Sequence, residues 1–398
     1  MARLPAKFLM KTHQKKRKER DRNEDEESDK SPSKLDPIPS DVEVEILSRL
    51  PGKSVIKFRC VSKMWSSIIR SQIFVDSFFS VSSRRSRFII AFSNSRLFIF
   101  SSSHEGEESS SLAANLDMEI PSLTLAHGSN CPSLDGFIVS CHGAHFTICN
   151  PTTGQVITFP TKGTLTVLGY DPLHHQFKAL SLLRSPSPPP GQDHYCEMHE
   201  VLTLGAGGES RNQVITPPYR PLTRGLCING FVYYGAWSPA PTNPVIVCFD
   251  VRYERLSFIK VPKSVLSMQS DSMLIEYKGK LASIARPPFA PFHSFDLWIL
   301  EDVKEHDWSK QTFELPFPLV NMTSPGTNKA GEIIFAPKTL PHDAQPFFIL
   351  YYNLERKDIR RVQIHGIADD QGFRRRYRLS GSCCVSISPH HVESIASF

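Results

Sequence analysis

His194-x-Cys196-x-x-His199 is the nearest approach to a metal-ligand set in the sequence. It lies in a strand-like run, where alternation sends His194 and Cys196 to one face and His199 to the other. Three ligands on two faces do not converge on one ion, so these residues read as ordinary surface and core positions. His174-His175 and His390-His391 are adjacent pairs, equally poorly placed to share a metal. Gly205-Ala206-Gly207-Gly208 is followed by no Lys-Ser/Thr and reads as a hairpin tip rather than a phosphate cradle. There is no G-x-S-x-G nucleophile elbow. Glu301 and Asp302 stand beside Lys304 and read as a solvated turn. Arg374-Arg375-Arg376 with Arg378 is a basic cluster near the C-terminus, fit for a solvated edge or for contact with an acidic partner or nucleic acid. No group here makes a catalytic constellation or a cofactor cradle. The chain is therefore expected to bind rather than to catalyse, with no cofactor and no metal.

The elements around these residues fall into three regions. The chain has 398 residues, 40% of them hydrophobic and 22% charged, enough for more than one core. Its 31 Pro, 21 Gly and 26 Phe suit strands and turns better than a helical bundle. A net charge of +6 is mild for this length and gives no sign of nucleic-acid binding. No stretch approaches the roughly 18 apolar residues of a membrane span, and residues 1–20 lack a secretory core. The protein is expected in the nucleus, the cytoplasm or both, away from membranes, with its nine cysteines reduced. Residues 1–34 alternate basic and acidic runs with little to bury and read as a disordered charged tail. Lys15-Lys16-Arg17-Lys18 there is either a nuclear import signal or part of a solubilising tail.

Residues 35–80 read as three short helices. Ser40-Asp41-Val42-Glu43 has the form of a capping box. Val42, Ile46, Leu47 and Leu50 then form one apolar stripe that Pro51-Gly52 terminates. A second helix carries Val55, Phe58 and Arg59, and a third Val61, Trp65, Ile68 and Ile69. A module this small cannot hide three stripes in its own core, so at least one should face something else.

From 86 to 398 helical periodicity gives way to short apolar or alternating runs punctuated by turns, the pattern of an all-β domain. Strand–turn–strand units recur near Asn150, Gly205, Asp250, Asp302 and Asn353, about every 45–55 residues, close to the period of propeller blades. Five or six blades fit this spacing; a two-sheet sandwich with long loops is the competing arrangement. Ser185–Asp193 and Pro239–Pro244 are Pro-rich connections suited to a partner-binding rim. Trp237 and Trp298 either pack between blades or line a recognition surface.

The helical segment resembles the F-box. The matching residues are Ile38-Pro39-Ser40-Asp41-Val42, Glu45-Ile46-Leu47, Arg49 to Val55, Phe58 to Lys63 and Trp65, with Phe74 closing the match. The following part resembles the plant F-box-associated domain. Leu226 to Tyr234, Ile246 to Val251, Leu297 to Asp302 and Tyr351 to Arg356 carry that resemblance, helped by Asn150-Pro151-Thr152-Thr153-Gly154 and Gly169-Tyr170-Asp171-Pro172. One departure is that Glu209-Ser210-Arg211 stands where the family usually places Trp-Arg.

The resemblance implies an α+β chain, a small F-box followed by a propeller-like β domain, working as the substrate receptor of an SCF-type ubiquitin ligase. The F-box would bind a Skp-family adaptor, and through it cullin and RING subunits, while the β domain holds an unknown substrate protein. Catalysis of ubiquitin transfer would lie in other subunits. An adaptor-bound scaffold that delivers no substrate is the alternative. The adaptor-binding residues implied are Pro39, Val42, Ile46, Leu50, Pro51, Val55, Cys60, Val61 and Trp65.

Overall fold

The computed structural model describes residues 39–397 except for 103–109, 126–130, 143, 164, 185–194, 206–209, 240–241, 267–271, 287–291, 342, 344, 380 and 382. The tail 1–34 with Lys15–Lys18, the connection Ser185–Asp193, His194 and Ala206–Gly208 lie outside the described residues. The chain divides into a first unit, Met1–Glu43, and a second, Val44–Phe398. The described part of the first unit is Pro39 and the opening turn of a helix, in which the Glu43 N–H donates to the Pro39 carbonyl at 3.1 Å. That helix, α1 (Ser40–Arg49), takes Ser40 as its first residue rather than as the cap that precedes it. No helix among the described residues is long and apolar enough to cross a membrane.

Two serines shape the remaining N-terminal helices. α2 (Gly52–Phe58) follows Pro51, whose φ of −58° and ψ of 140° turn the chain straight into a new helix. The Ser62 hydroxyl then accepts from the Trp65 N–H at 3.0 Å and starts α3 (Lys63–Arg70), leaving Val61 outside it. The Ser71 hydroxyl accepts from the Phe74 N–H at 3.3 Å and starts a fourth helix, α4 (Gln72–Ser83). This helix buries Phe74 and Phe78 and carries the chain to the first strand.

Among the described residues, the strands form six antiparallel blades of four strands each, a propeller, with the short strand Thr339–Leu340 added to the blade that Cys383–His391 completes. Blades 133–160 and 273–319 are separate sheets. Blades 165–221 and 226–260 fuse edge to edge where Arg220 and Pro221 pair with Trp237 and Ala236. The last blade, 322–365, joins the first through parallel pairing of Gln363, Ile364 and His365 with Ser111, Leu112 and Ala113. The ring closes because the C-terminal strand Cys383–His391 pairs with Arg87–Ser93 and completes the N-terminal blade. Its Ser386 and Ser388 hydroxyls also accept the Cys131 and Ser133 N–H groups of the next blade, at 2.7 and 2.9 Å.

The loose repeat in the sequence is one recurring turn, between the third and fourth strands of a blade. Asn150, Asp250, Asp302 and Asn353 each present Oδ1 to the backbone N–H groups two and three residues ahead, at 2.7–3.3 Å. Each turn then closes on a residue in the left-handed region: Gly154, Glu254, His306 or Lys357. These turns mark one face of the propeller. The other face gathers the opposite strand ends, including Ser93, Arg184, Cys196, Pro239 and His365.

Residues 44–83 do not fold on their own core alone. Leu47, Val55, Ile69, Phe74 and Phe78 pack with Ile395, from the segment that follows the closing strand. Glu393 accepts the Gly52 N–H at 3.2 Å, and Asn150 Nδ2 donates to the Ser394 and Ala396 carbonyls at 2.8 and 3.0 Å. Lys53 pairs with Asp117 at 2.7 Å, and Lys329 donates to the Ser83 and Arg84 carbonyls at 2.9 and 3.2 Å. Part of the excess apolar surface that the helices were expected to offer elsewhere is thus spent on the C-terminal segment, against the turn-bearing face.

Candidate functional site

The helical segment leaves several apolar side chains exposed. In the first unit, Pro39 is exposed and Val42 is 42% exposed. In the second unit, Ile46 at 49% and Val61 at 63% stand in water, and Pro51 and Cys60 are exposed as well. Leu50 and Trp65 are half-buried against the helical core, and the Trp65 ring meets Phe58 edge-on at 5.1 Å. Val55 is different. It is fully buried beside Ile395, so it shapes the module rather than offering a surface. Sequence reasoning missed Met64 and Ile73, 53% and 84% exposed; both flank the caps Ser62 and Ser71, which fix where the helices turn outward. Apolar side chains exposed this densely on a short module are what a protein partner covers.

The groups with chemical potential are structural. In the strand Cys196–Leu204 the register shifts between Cys196 and Met198, and this bulge cancels the expected alternation. Cys196 and His199 are therefore both buried, where simple alternation places them on opposite faces. The His199 ring meets the Val214 carbonyl at 3.2 Å and the Tyr219 hydroxyl, which in turn meets the Tyr234 hydroxyl. Burial pushes the His199 imidazole down to about 4 and raises both phenols well above their usual range. His391 lies against the Ser133 hydroxyl at 2.8 Å and is likewise pushed by burial to about 4, while the His390 ring meets the Thr327 carbonyl. Each of these rings ties one blade element to another.

Charged groups follow the same logic. Asp171 is held below the usual carboxylate range, first by the Arg252 guanidinium and then by His174 and the Leu173 N–H. Lys178 and Glu254 pair at 2.6 Å across the same two blades. Asp135, at a turn with φ of 47°, is pushed up to about 6 by burial. No three His, Cys, Asp or Glu residues among those described are grouped to hold a metal ion. Trp298 packs against the core between blades 226–260 and 273–319.

Residues 35–76 match the F-box domain, and residues 87–392 match the F-box associated beta propeller domain. F-box protein At1g30790 of Arabidopsis thaliana is 52% identical over 396 residues, covering 91% of this chain and 98% of that protein. Putative F-box protein At1g32660 of the same plant is 46% identical, over 88% of this chain and 82% of that one. F-box protein DOR, also from Arabidopsis thaliana, is 37% identical, over 83% and 89% respectively.

Proposed function

Because the chain belongs to the F-box proteins with an F-box associated β-propeller domain, we propose that it is a substrate receptor of an SCF-type ubiquitin ligase, whose propeller holds the protein to be ubiquitinated. F-box proteins are non-catalytic adaptors, and the F-box implies binding to a Skp-family adaptor. Cullin and RING subunits would follow through that adaptor. The contribution of this chain is positional: it raises the effective concentration of substrate at a ligase centre carried by other subunits.

One observation carries the reading. The helices from Val44 onward are locked to the turn-bearing face of the propeller by Ile395, Glu393, Lys53 and Lys329. With the helices seated on part of that face, the opposite rim is the surface we assign to the substrate; the strand ends Arg184, Cys196, Pro239 and Thr242 lie there. Exposed Pro39, Val42, Ile46, Pro51, Cys60 and Val61, with half-buried Leu50 and Trp65, are the residues we assign to the adaptor. The test is co-purification with the adaptor, with and without proteasome inhibition. A receptor brings down a partner that accumulates under inhibition; a partner whose level does not respond would favour the scaffold reading instead.

A further inference from the structure

The basic cluster at 374–378 has a defined place. α5 (Gln371–Arg376) lies in the connection between the strand Asp358–His365 and the closing strand Cys383–His391. Both strand ends that it joins are at the rim opposite the helices. The helix is short but firmly held. Asp370 caps it through the Phe373 N–H at 2.6 Å, and Phe373 is buried in the core. Tyr377 packs on Phe373 and Phe98 at 4.7 and 4.9 Å between ring centres. Arg374 is used internally, donating to the Leu379 and Gly381 carbonyls at 3.3 and 3.0 Å and to that of Pro341.

Arg375, Arg376 and Arg378 are left exposed, with no carboxylate partner among the described residues. The nearby carboxylates Asp369 and Asp370 are occupied by the Gly366 and Phe373 N–H groups. Arg378 also adopts φ of 52°, the left-handed conformation in which a helix C-terminus ordinarily uses glycine.

We propose that Arg375, Arg376 and Arg378 dock an Asp/Glu-rich segment of the substrate protein, an inference that rests on the receptor reading above. Guanidinium forks suit carboxylates. Neighbouring positions on a helix diverge, so Arg375 and Arg376 suit several carboxylates spaced along a chain better than a single phosphate. The rings of Phe373 and Tyr377, the aromatic side chains of this segment among the described residues, are packed against Phe92, Phe98 and Phe100 rather than presented as a stacking platform for nucleotide bases.

The test is fluorescence anisotropy of the full chain with a labelled Asp/Glu dodecapeptide, its Asn/Gln counterpart, a singly phosphorylated neutral peptide and a single-stranded oligonucleotide. Because Glu24–Asp29 of the chain has the same chemistry, a full-length variant with that run changed to Asn and Gln is measured in parallel. The acidic peptide should bind best, and more weakly as salt rises. R375Q/R376Q/R378Q should lose on the order of 10-fold in affinity, and Arg378→Gly about 2- to 5-fold, the scale of exposed ion pairs. Arg378→Gly relieves the backbone, so its melting temperature should not fall, which separates lost binding from lost folding. Failure of the acidic peptide to bind either form of the chain, equal binding of the neutral peptide, preference for the phosphopeptide or oligonucleotide, or unchanged affinity in both variants would overturn the proposal. Adaptor binding, measured on the same samples, reports on the receptor reading separately and should be unchanged by these substitutions.

Discussion

Ile395 is where the helices and the propeller stand or fall together. It is 6% exposed and packs with Leu47, Val55, Ile69, Phe74 and Phe78. Ile395→Ala removes three carbons, roughly 2.4 kcal/mol of transfer free energy at about 0.8 per carbon, before any cavity cost. A loss of about 2–4 kcal/mol follows, within the range for such core truncations. Against a typical total stability of roughly 5–15 kcal/mol this is survivable for the whole chain. Its effect should be local, because the propeller keeps its six blades and ring closure while the helices keep only their own contacts and a few polar ties. Hydrogen exchange should therefore show amides of α2, α3 and α4 losing protection in Ile395→Ala by on the order of 30- to 1000-fold, while central strands such as Phe347–Asn353 change little. A second substitution sharpens the assay. Asn150→Asp preserves the Oδ1 that caps the turn but replaces the Nδ2 that donates to the Ser394 and Ala396 carbonyls. It should reproduce the loosening, whereas Asn353→Asp, at a turn with no such second duty, should be close to neutral, since Asp250 and Asp302 already serve there. Equal protection of the helices in wild type and Ile395→Ala would refute the shared core.

Three further outcomes are expected. Ile46→Asp and Val61→Asp, at exposed positions, should weaken adaptor binding at least 10-fold by calorimetry with the melting temperature unchanged, whereas buried Val55→Ala should cost about 2 kcal/mol of stability. Replacing Leu50 and Pro51 with Ala should remove about 2–4 kcal/mol of adaptor binding, read by calorimetry, with the circular dichroism spectrum retained. Stability should fall as pH drops from about 6.5 towards 4 in denaturant titrations. His199 and His391, pushed down to about 4, stay neutral in the folded chain while their unfolded counterparts take up protons, and Asp135, raised to about 6, opposes them with a single proton of opposite sign. His391→Asn should flatten that slope.

Local chemistry made much of this protein legible from its sequence. Helix-compatible apolar spacing, with Pro51 as a stop and start, placed the first helices, because those preferences act within one or two turns. The Asx turns at Asn150, Asp250, Asp302 and Asn353 gave the blade period, since the side chain that makes each turn is adjacent to the backbone it caps. The F-box and propeller assignments followed from ordered motifs spanning both regions. The spacing alone left five or six blades open, because the first blade is completed by Cys383–His391, some 300 positions from its partner strand. One inserted residue, the bulge after Cys196, turned His199 inward, and alternation cannot foresee it because the cause lies in how two neighbouring strands pair. Val55 reads from the sequence like any other apolar F-box position; it is buried in a cluster that Ile395 joins from the far end of the chain. Periodicity shows which side chains need cover, but the element that supplies it is chosen by long-range packing, which no local pattern encodes.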